Sequence, residues 1–406
     1  GSNGGNSGGS NGGGNSGGSS GGGSGSSGSS KPSAPSTSAP SAPSSSVTTG
    51  EQTAESGTKT ETTATPEAVV SNNAAAAVVT EAVGKEMADQ AAENGSQTIV
   101  IAPVVQDSVD KMTVSVSAAV VGEIGTKTDA SLTISTPVAA VDIPKSGLQQ
   151  LANAGNVVNV MAEKNGSQIT VDITADAKKV DTIAGGVTVT VLVENVTPGT
   201  VAVIVQEDGT REIVQNTIAD GEAGTVKVAL QGSATVEIID NSKDFVDVGE
   251  TAWFKPAVDF VSARGILSGV GEGAFGHDAT MNRAMAMTML ARLEGVDTSG
   301  GETWYEKGMT WAAEAGISDG TAPMSDVTRE QMAAMLWRYA GEPEANAGFE
   351  QFADAQAVST WAEPAMCWAV EQGILNGDGT NLNAADSMTR AEVAQILMKF
   401  MENRLK

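Results

Sequence analysis

The sequence predicts a multidomain chain in three parts: a disordered tether over residues 1–64, a mostly antiparallel β-module over 65–243, and a helical repeat region from 245 onward. Three observations lead there. All fifteen aromatic residues lie at or after Phe245. Residues 1–30 are nearly pure Gly, Ser and Asn, and 31–46 alternate Pro, Ser and Ala. Beyond the aromatic boundary, a Trp, a Gly twelve residues later and an Arg heading an apolar stretch recur as Trp253, Gly265, Arg283, as Trp304, Gly316, Arg329, and as Trp361, Gly373, Arg390. A period of roughly 50 residues marks repeated units, none of which buries its apolar face alone.

The tether follows from composition, because such low-complexity sequence buries too little apolar area to offset the backbone entropy of folding. Its Gly-rich part is expected to behave as a flexible coil spanning roughly 30 Å over thirty residues, and its Pro-rich part as a stiffer spacer. Thr-rich residues 48–65 are expected to continue it. The chain opens on Gly1 with no Met and no apolar leader, which reads as a fragment or a processed part of a longer protein.

The β-module begins with helical spacing from Ala74 to Asn94, carried by Val78, Val79, Ala82, Val83, Met87 and Ala91 and stopped at Asn94-Gly95. Period-two runs rich in Val, Ile and Thr follow. They cover 98–105, 112–121, 131–143, 157–162, 168–173, 187–193, 201–206, 225–230 and 235–239, with turns such as Asn165-Gly166 between them. A sandwich-like fold with one N-terminal helix is expected. Its aliphatic core offers no aromatic platform for stacking a sugar, so the module reads as a spacer.

A formal net charge of -26 excludes a nucleic-acid partner, since nothing could displace counterions from a phosphate backbone. The imbalance persists after Phe245, with 11 Lys and Arg against 23 Asp and Glu, so an anionic ligand needs a few placed cations rather than a basic field. The single Cys367 rules out an internal disulfide framework, and no run of 18 apolar residues predicts a membrane span. The lone His277 has no partner for metal or acid–base work, and no phosphate loop or nucleophile elbow occurs. Neither an enzyme nor a cofactor is expected.

Within the third copy, Phe352-Ala-Asp354 precedes Trp361, and Ala365, Trp368 and Ala369 share a helix face before the C-terminal Gly373. Thr389 and Glu392 have the spacing of a capping box, with Val393, Ile396, Leu397 and Phe400 as the buried stripe behind it. The second copy carries Thr328 and Gln331 in the same register, whereas the first has the cap residue Asn282 but Met285 in place of the returning carboxylate. Every copy puts Arg at the first helical position, where free amides and the positive end of the dipole are expected to favour an anion.

Taken together, Phe-x-Asp, Trp, Gly-Ile-Leu-x-Gly, the Gly and Asp loop and Thr-Arg-Ala-Glu resemble the S-layer homology repeat of bacterial surface proteins. The β-module is loosely similar to modules that precede such repeats in clostridial surface proteins. The resemblance implies repeats at 245–295, 302–341 and 352–402 in an all-α, pseudo-threefold arrangement, on a protein secreted to the cell wall of a Gram-positive bacterium. It also implies non-covalent binding of secondary cell wall polymer in the clefts between repeats, commonly through a ketal-pyruvate carboxylate. The residues expected to meet the polymer are Arg283, Arg329 and Arg390, the entry carboxylates Asp247 and Asp354, and Trp253, Trp304 and Trp361. The second copy lacks the Phe-x-Asp entry, and its Gly-to-Arg spacing is 13 against 18 and 17, so Arg329 is expected to matter less than Arg390. Two other readings are the anchor end of a longer surface hydrolase and a lattice-forming S-layer subunit, which self-assembles.

Overall fold

The computed structural model describes residues 46–54, 57–106 and 108–404. The Gly- and Pro-rich stretch of the expected tether lies outside them.

From residue 46 the tether expectation is corrected. Strands β1 (Ser46–Ala54) and β2 (Gly57–Thr65) form an antiparallel hairpin in which Thr48 faces Thr63 and Thr49 faces Thr62. Thr62 and Ala64 are fully buried, and the Thr49 and Thr62 hydroxyls lie 3.1 Å apart. Threonine is polar in a composition count but β-branched in a backbone, and alternation let it pack.

The expected helix from Ala74 also divides. Strands β3 (Ala68–Ser71) and β4 (Ala74–Val79) turn through Asn72 and Asn73, both at positive φ. Helix α1 (Glu81–Asn94) starts only after Thr80, whose hydroxyl accepts from the Val83 amide, and ends at Gly95 in the left-handed region as expected. An Ala-Val run fits either period, and the capping threonine decides.

The module continues with β5 (Thr98–Ile101), β6 (Lys111–Ser117), α2 (Ala118–Lys127), β7 (Ser131–Ser135), β8 (Ala140–Ile143), α3 (Lys145–Ala152), β9 (Val157–Asn165), β10 (Gln168–Ala175), β11 (Lys178–Lys179), β12 (Val187–Leu192), β13 (Thr200–Val205), β14 (Arg211–Val214), β15 (Thr217–Asp220), β16 (Thr225–Leu230) and β17 (Ala234–Asp240). Three helices replace the single one expected. The run 112–121 leaves its strand at Ser117, which caps α2 by accepting from the Val120 amide. One sheet has the order β1-β2-β5-β7-β8-β12-β16-β15 and the other β14-β13-β17-β10-β9-β6-β4-β3, with β11 on β10. Pairing is antiparallel except for β2 with β5, β5 with β7 and β4 with β6. Each sheet turns alternate residues into one aliphatic core that α1 to α3 share.

A second core, rich in Met and aromatic residues, belongs to α4 (Lys255–Ala263), α5 (Arg283–Leu293), α6 (Glu306–Glu314), α7 (Arg329–Tyr339), α8 (Glu363–Glu371) and α9 (Arg390–Arg404). The helices pair across the copies rather than within them: α5 packs on α6, α7 on α8, and α9 returns to α4. Where the three helix entries meet, the Met281 amide donates to Met388, Met388 to Val327, and Val327 to Met281, a closed cycle of backbone hydrogen bonds. All three residues are fully buried.

Arg264, just past α4, joins the two cores. Only 1% exposed, its guanidinium donates to the carbonyls of Thr217, Pro198, Thr200 and Phe260 and lies 3.6 Å over the Phe260 ring. Burial pulls it down to about 9, which leaves it charged at neutral pH. Ile218 of β15 enters the helical core beside it.

Candidate functional site: the clefts between helix pairs

The capping signals did place the helix starts. Asn282 accepts from the Met285 amide, Thr328 and Gln331 form a complete capping box, and Thr389 and Glu392 exchange the same two bonds. Arg283, Arg329 and Arg390 open their helices. The amides there are not free, however. Those of Arg283 and Ala284 donate to Ser325 and Pro323, those of Arg329 and Glu330 to Asp386 and Ala384, and those of Arg390 and Ala391 to Ala279 and His277. Each helix start is thus capped by backbone of another copy, and the expectation that its amides hold an anion is corrected. Only guanidinium edges remain for that task.

Each arginine reaches into another copy. Arg390, 4% exposed, donates from Nε to Phe275 O at 3.0 Å and from Nη2 to Ser268 O at 2.6 Å, and it lies over the Phe275 ring. Arg329 donates from Nη1 to Asn383 O at 2.7 Å, and its Nη2 lies 3.3 Å from Glu392 Oε1. Arg283 donates to Thr321 O and Ser318 Oγ and pairs with Asp319 at 2.6 Å.

Two of these arginines line cavities of the same construction. The Arg390 cavity, of about 520 Å³, is walled by Ile266 to Val270, by Trp304, and by Met285, Thr288, Met289 and Arg292 of α5. The Arg329 cavity, of about 330 Å³, has Ile374 to Asp378, Trp253, and Glu392, Gln395, Ile396 and Lys399 of α9. In both, the second helix contributes the second, fifth, sixth and ninth residues after its own opening Arg, which share one helical face. Each cavity therefore takes its Trp, its Arg and its loop from three different copies. Around Arg283, Arg338 of α7 fills the corresponding ninth position and donates to Ile317 O.

Sequence reasoning missed the basic residue nine positions after each Arg, namely Arg292, Arg338 and Lys399. The recurrence in one register was the available signal. Trp253, Trp304 and Trp361 are 62%, 51% and 53% exposed, which is unusual for so apolar a side chain and suited to an apolar wall.

Asp247 and Asp354 sit elsewhere. Asp247 accepts the amides of Phe275 and Gly276, and Asp354 those of Leu382 and Asn383, all at 2.7 Å. Both carboxylate oxygens of each residue are thereby engaged in fixing the loop whose carbonyls receive the arginines. Burial opposes ionisation of Asp247, yet the Phe275 and Gly276 amides hold it below the ordinary carboxylate value. Its contribution to stability is present at neutral pH and is lost as pH falls below about 3.9 through the lower folded-state value. Asp354→Asn, which keeps one acceptor of the two, is expected to lower helical-region stability by about 1–2 kcal/mol in urea unfolding; an unchanged midpoint would refute the bracing role.

Among the described residues no helix is long and apolar enough to cross a membrane. The family model for the S-layer homology domain, a non-catalytic domain, matches residues 244–286 and 351–394. The chain is 28% identical over 305 residues to an amylopullulanase of Thermoanaerobacterium thermosulfurigenes, covering 67% of this chain and 16% of that protein. It is 28% identical over 180 residues to exoglucanase XynX of Acetivibrio thermocellus, covering 40% of this chain and 16% of the relative. It is also 28% identical over 170 residues to the surface-layer 125 kDa protein of Lysinibacillus sphaericus, covering 38% and 14% respectively. The aligned stretches thus span 14% to 16% of these relatives' lengths. The domain match and the surface-layer relatives mark a cell-wall-associated extracellular protein that carries S-layer homology sequence at 244–286 and 351–394.

Proposed function

We propose that the helical region anchors a secreted surface protein to the cell wall by binding secondary cell wall polymer non-covalently in the clefts between three S-layer homology repeats. Residues 302–341 form the second repeat in this reading, and the ring is pseudo-threefold. The observation that carries the proposal is the matched construction of the Arg390 and Arg329 cavities, each with an exposed Trp wall and two cations in an otherwise acidic chain. A guanidinium edge recognises a carboxylate by paired charged hydrogen bonds, and an indole offers a sugar ring an apolar face. A terminal sugar bearing a ketal-linked pyruvate satisfies both. The β-module serves as a spacer, and no catalytic residue is assigned to the chain.

The amylopullulanase and exoglucanase relatives favour a second reading, in which the same anchor serves a longer surface hydrolase. Sequencing the coding region upstream of Gly1 separates the two.

The anchoring proposal is tested by co-sedimenting the chain with wall sacculi before and after chemical removal of the polymer. Binding is expected to need the polymer, and a folded Arg283→Lys, Arg329→Lys, Arg390→Lys triple variant is expected to lose about tenfold or more in affinity, because an ammonium lacks the planar fork. Sedimentation indifferent to polymer removal would sink the proposal.

A further inference from the structure

Arg390 is the most buried of the three arginines and donates to the Phe275 and Ser268 carbonyls, and the three sites differ further in the carboxylates placed around the guanidinium. At Arg283 the loop supplies Asp319, 2.6 Å from the guanidinium. At Arg329 the neighbouring helix supplies Glu392, 3.3 Å away, and Asp378 also lines the cavity. The Asn381 amide, the Asn383 side chain and the Thr380 amide hold Asp378 at about 2, so it is a permanent negative charge there. Both sites therefore carry an internal carboxylate where an external one would sit.

Among the described residues no Asp or Glu lines the Arg390 cavity. The position equivalent to Glu392 is Met285, two residues after the opening Arg in each helix, and the loop position equivalent to Asp319 is Ser268. A second cation, Arg292, donates from Nε to Thr298 Oγ1. Thr288, also lining the cavity and 2% exposed, has a buried hydroxyl without a hydrogen-bond partner. That oxygen is closed off from the cavity and faces Gly308 of α6, where an added Cβ would come within 2.8 Å of it, so it offers nothing to a ligand. The acid nearest in charge terms, Asp247, has both oxygens committed to the Phe275 and Gly276 amides.

We infer that the Arg390 cavity is the one cleft that accepts the carboxylate-bearing sugar, and that Met285 and Ser268 make it so by withholding the internal carboxylates that neutralise the other two. This rests on the polymer-binding reading above. The lost capping-box carboxylate of the first copy, a defect by the rules of helix starts, is then the determinant of selectivity.

The test is titration calorimetry of the full chain with a methyl hexoside carrying a ketal-linked pyruvate, beside the same glycoside without it. One site per chain is expected, for the pyruvylated compound alone. Met285→Glu, which restores a capping box and so folds, is expected to weaken binding about ten- to hundredfold, and the neutral Met285→Gln, of the same shape as Glu, is expected to weaken it at least severalfold less. Asp319→Ser, and the double variant Glu392→Gln, Asp378→Asn, are each expected to add a site. Undiminished binding by Met285→Glu, more than one site in the unaltered chain, or no added site in either of the last two variants would overturn the assignment. If neither glycoside binds while polymer-dependent sedimentation persists, this inference falls and the anchoring proposal stands; if sedimentation is also polymer-independent, both fall.

Discussion

Replacing Arg264 by Met is expected to destabilise the helical region by about 3–5 kcal/mol, the largest effect of any single substitution considered for this chain. Methionine fills much of the volume but donates nothing, so the carbonyls of Pro198, Thr200, Thr217 and Phe260 lose their donor in a site where water is scarce. Arg264→Lys should recover little, because one ammonium cannot span carbonyls arranged around a planar fork. All six Trp residues lie at or beyond Trp253, so tryptophan fluorescence reports the helical region alone while far-ultraviolet circular dichroism reports both. In Arg264→Met the fluorescence midpoint is expected to fall by on the order of 10 °C. An unchanged midpoint would mean that the two cores are joined by something other than this residue.

Arg390→Ala is expected to cost about 2–4 kcal/mol of stability as well as binding. Its side chain ties the start of α9 to the Ser268 and Phe275 carbonyls of the first copy, and truncation leaves both without that donor and a void against the Phe275 ring. For that reason loss of polymer binding by this variant would not distinguish a ligand contact from a loosened ring. Urea unfolding resolves it: a midpoint equal to that of the unaltered chain would show that Arg390 braces nothing. Arg329→Ala, with a single carbonyl bond and more exposure, is expected to cost less.

The helix starts were legible because their signals are local. Asn282, Thr328 and Thr389 announce caps within four residues, and an Arg follows each. Which copy each arginine serves was not legible. It depends on α9 closing onto α4, and nothing in a 50-residue window encodes that closure. The same long-range backbone consumed the helix-start amides that local reasoning left free. In the β-module, the Thr hairpin and the Ala74–Val79 strand were misread for the opposite reason, since their local composition favours no period and a tertiary partner chose one. Met285 looked like an irregularity of capping until its neighbours across the copies were known.

The cycle of hydrogen bonds among Met281, Val327 and Met388 has a counterpart in valency. An open stack of helical units gains or loses binding capacity one unit at a time, because each unit meets only its neighbours along the chain. The Arg390 and Arg329 cavities, each drawing on three copies, are different. Deleting any one copy takes a wall from both cavities at once, so neither survives it. Under the anchoring proposal, the number of working sites is then set by a cleft's charges and not by the count of repeats.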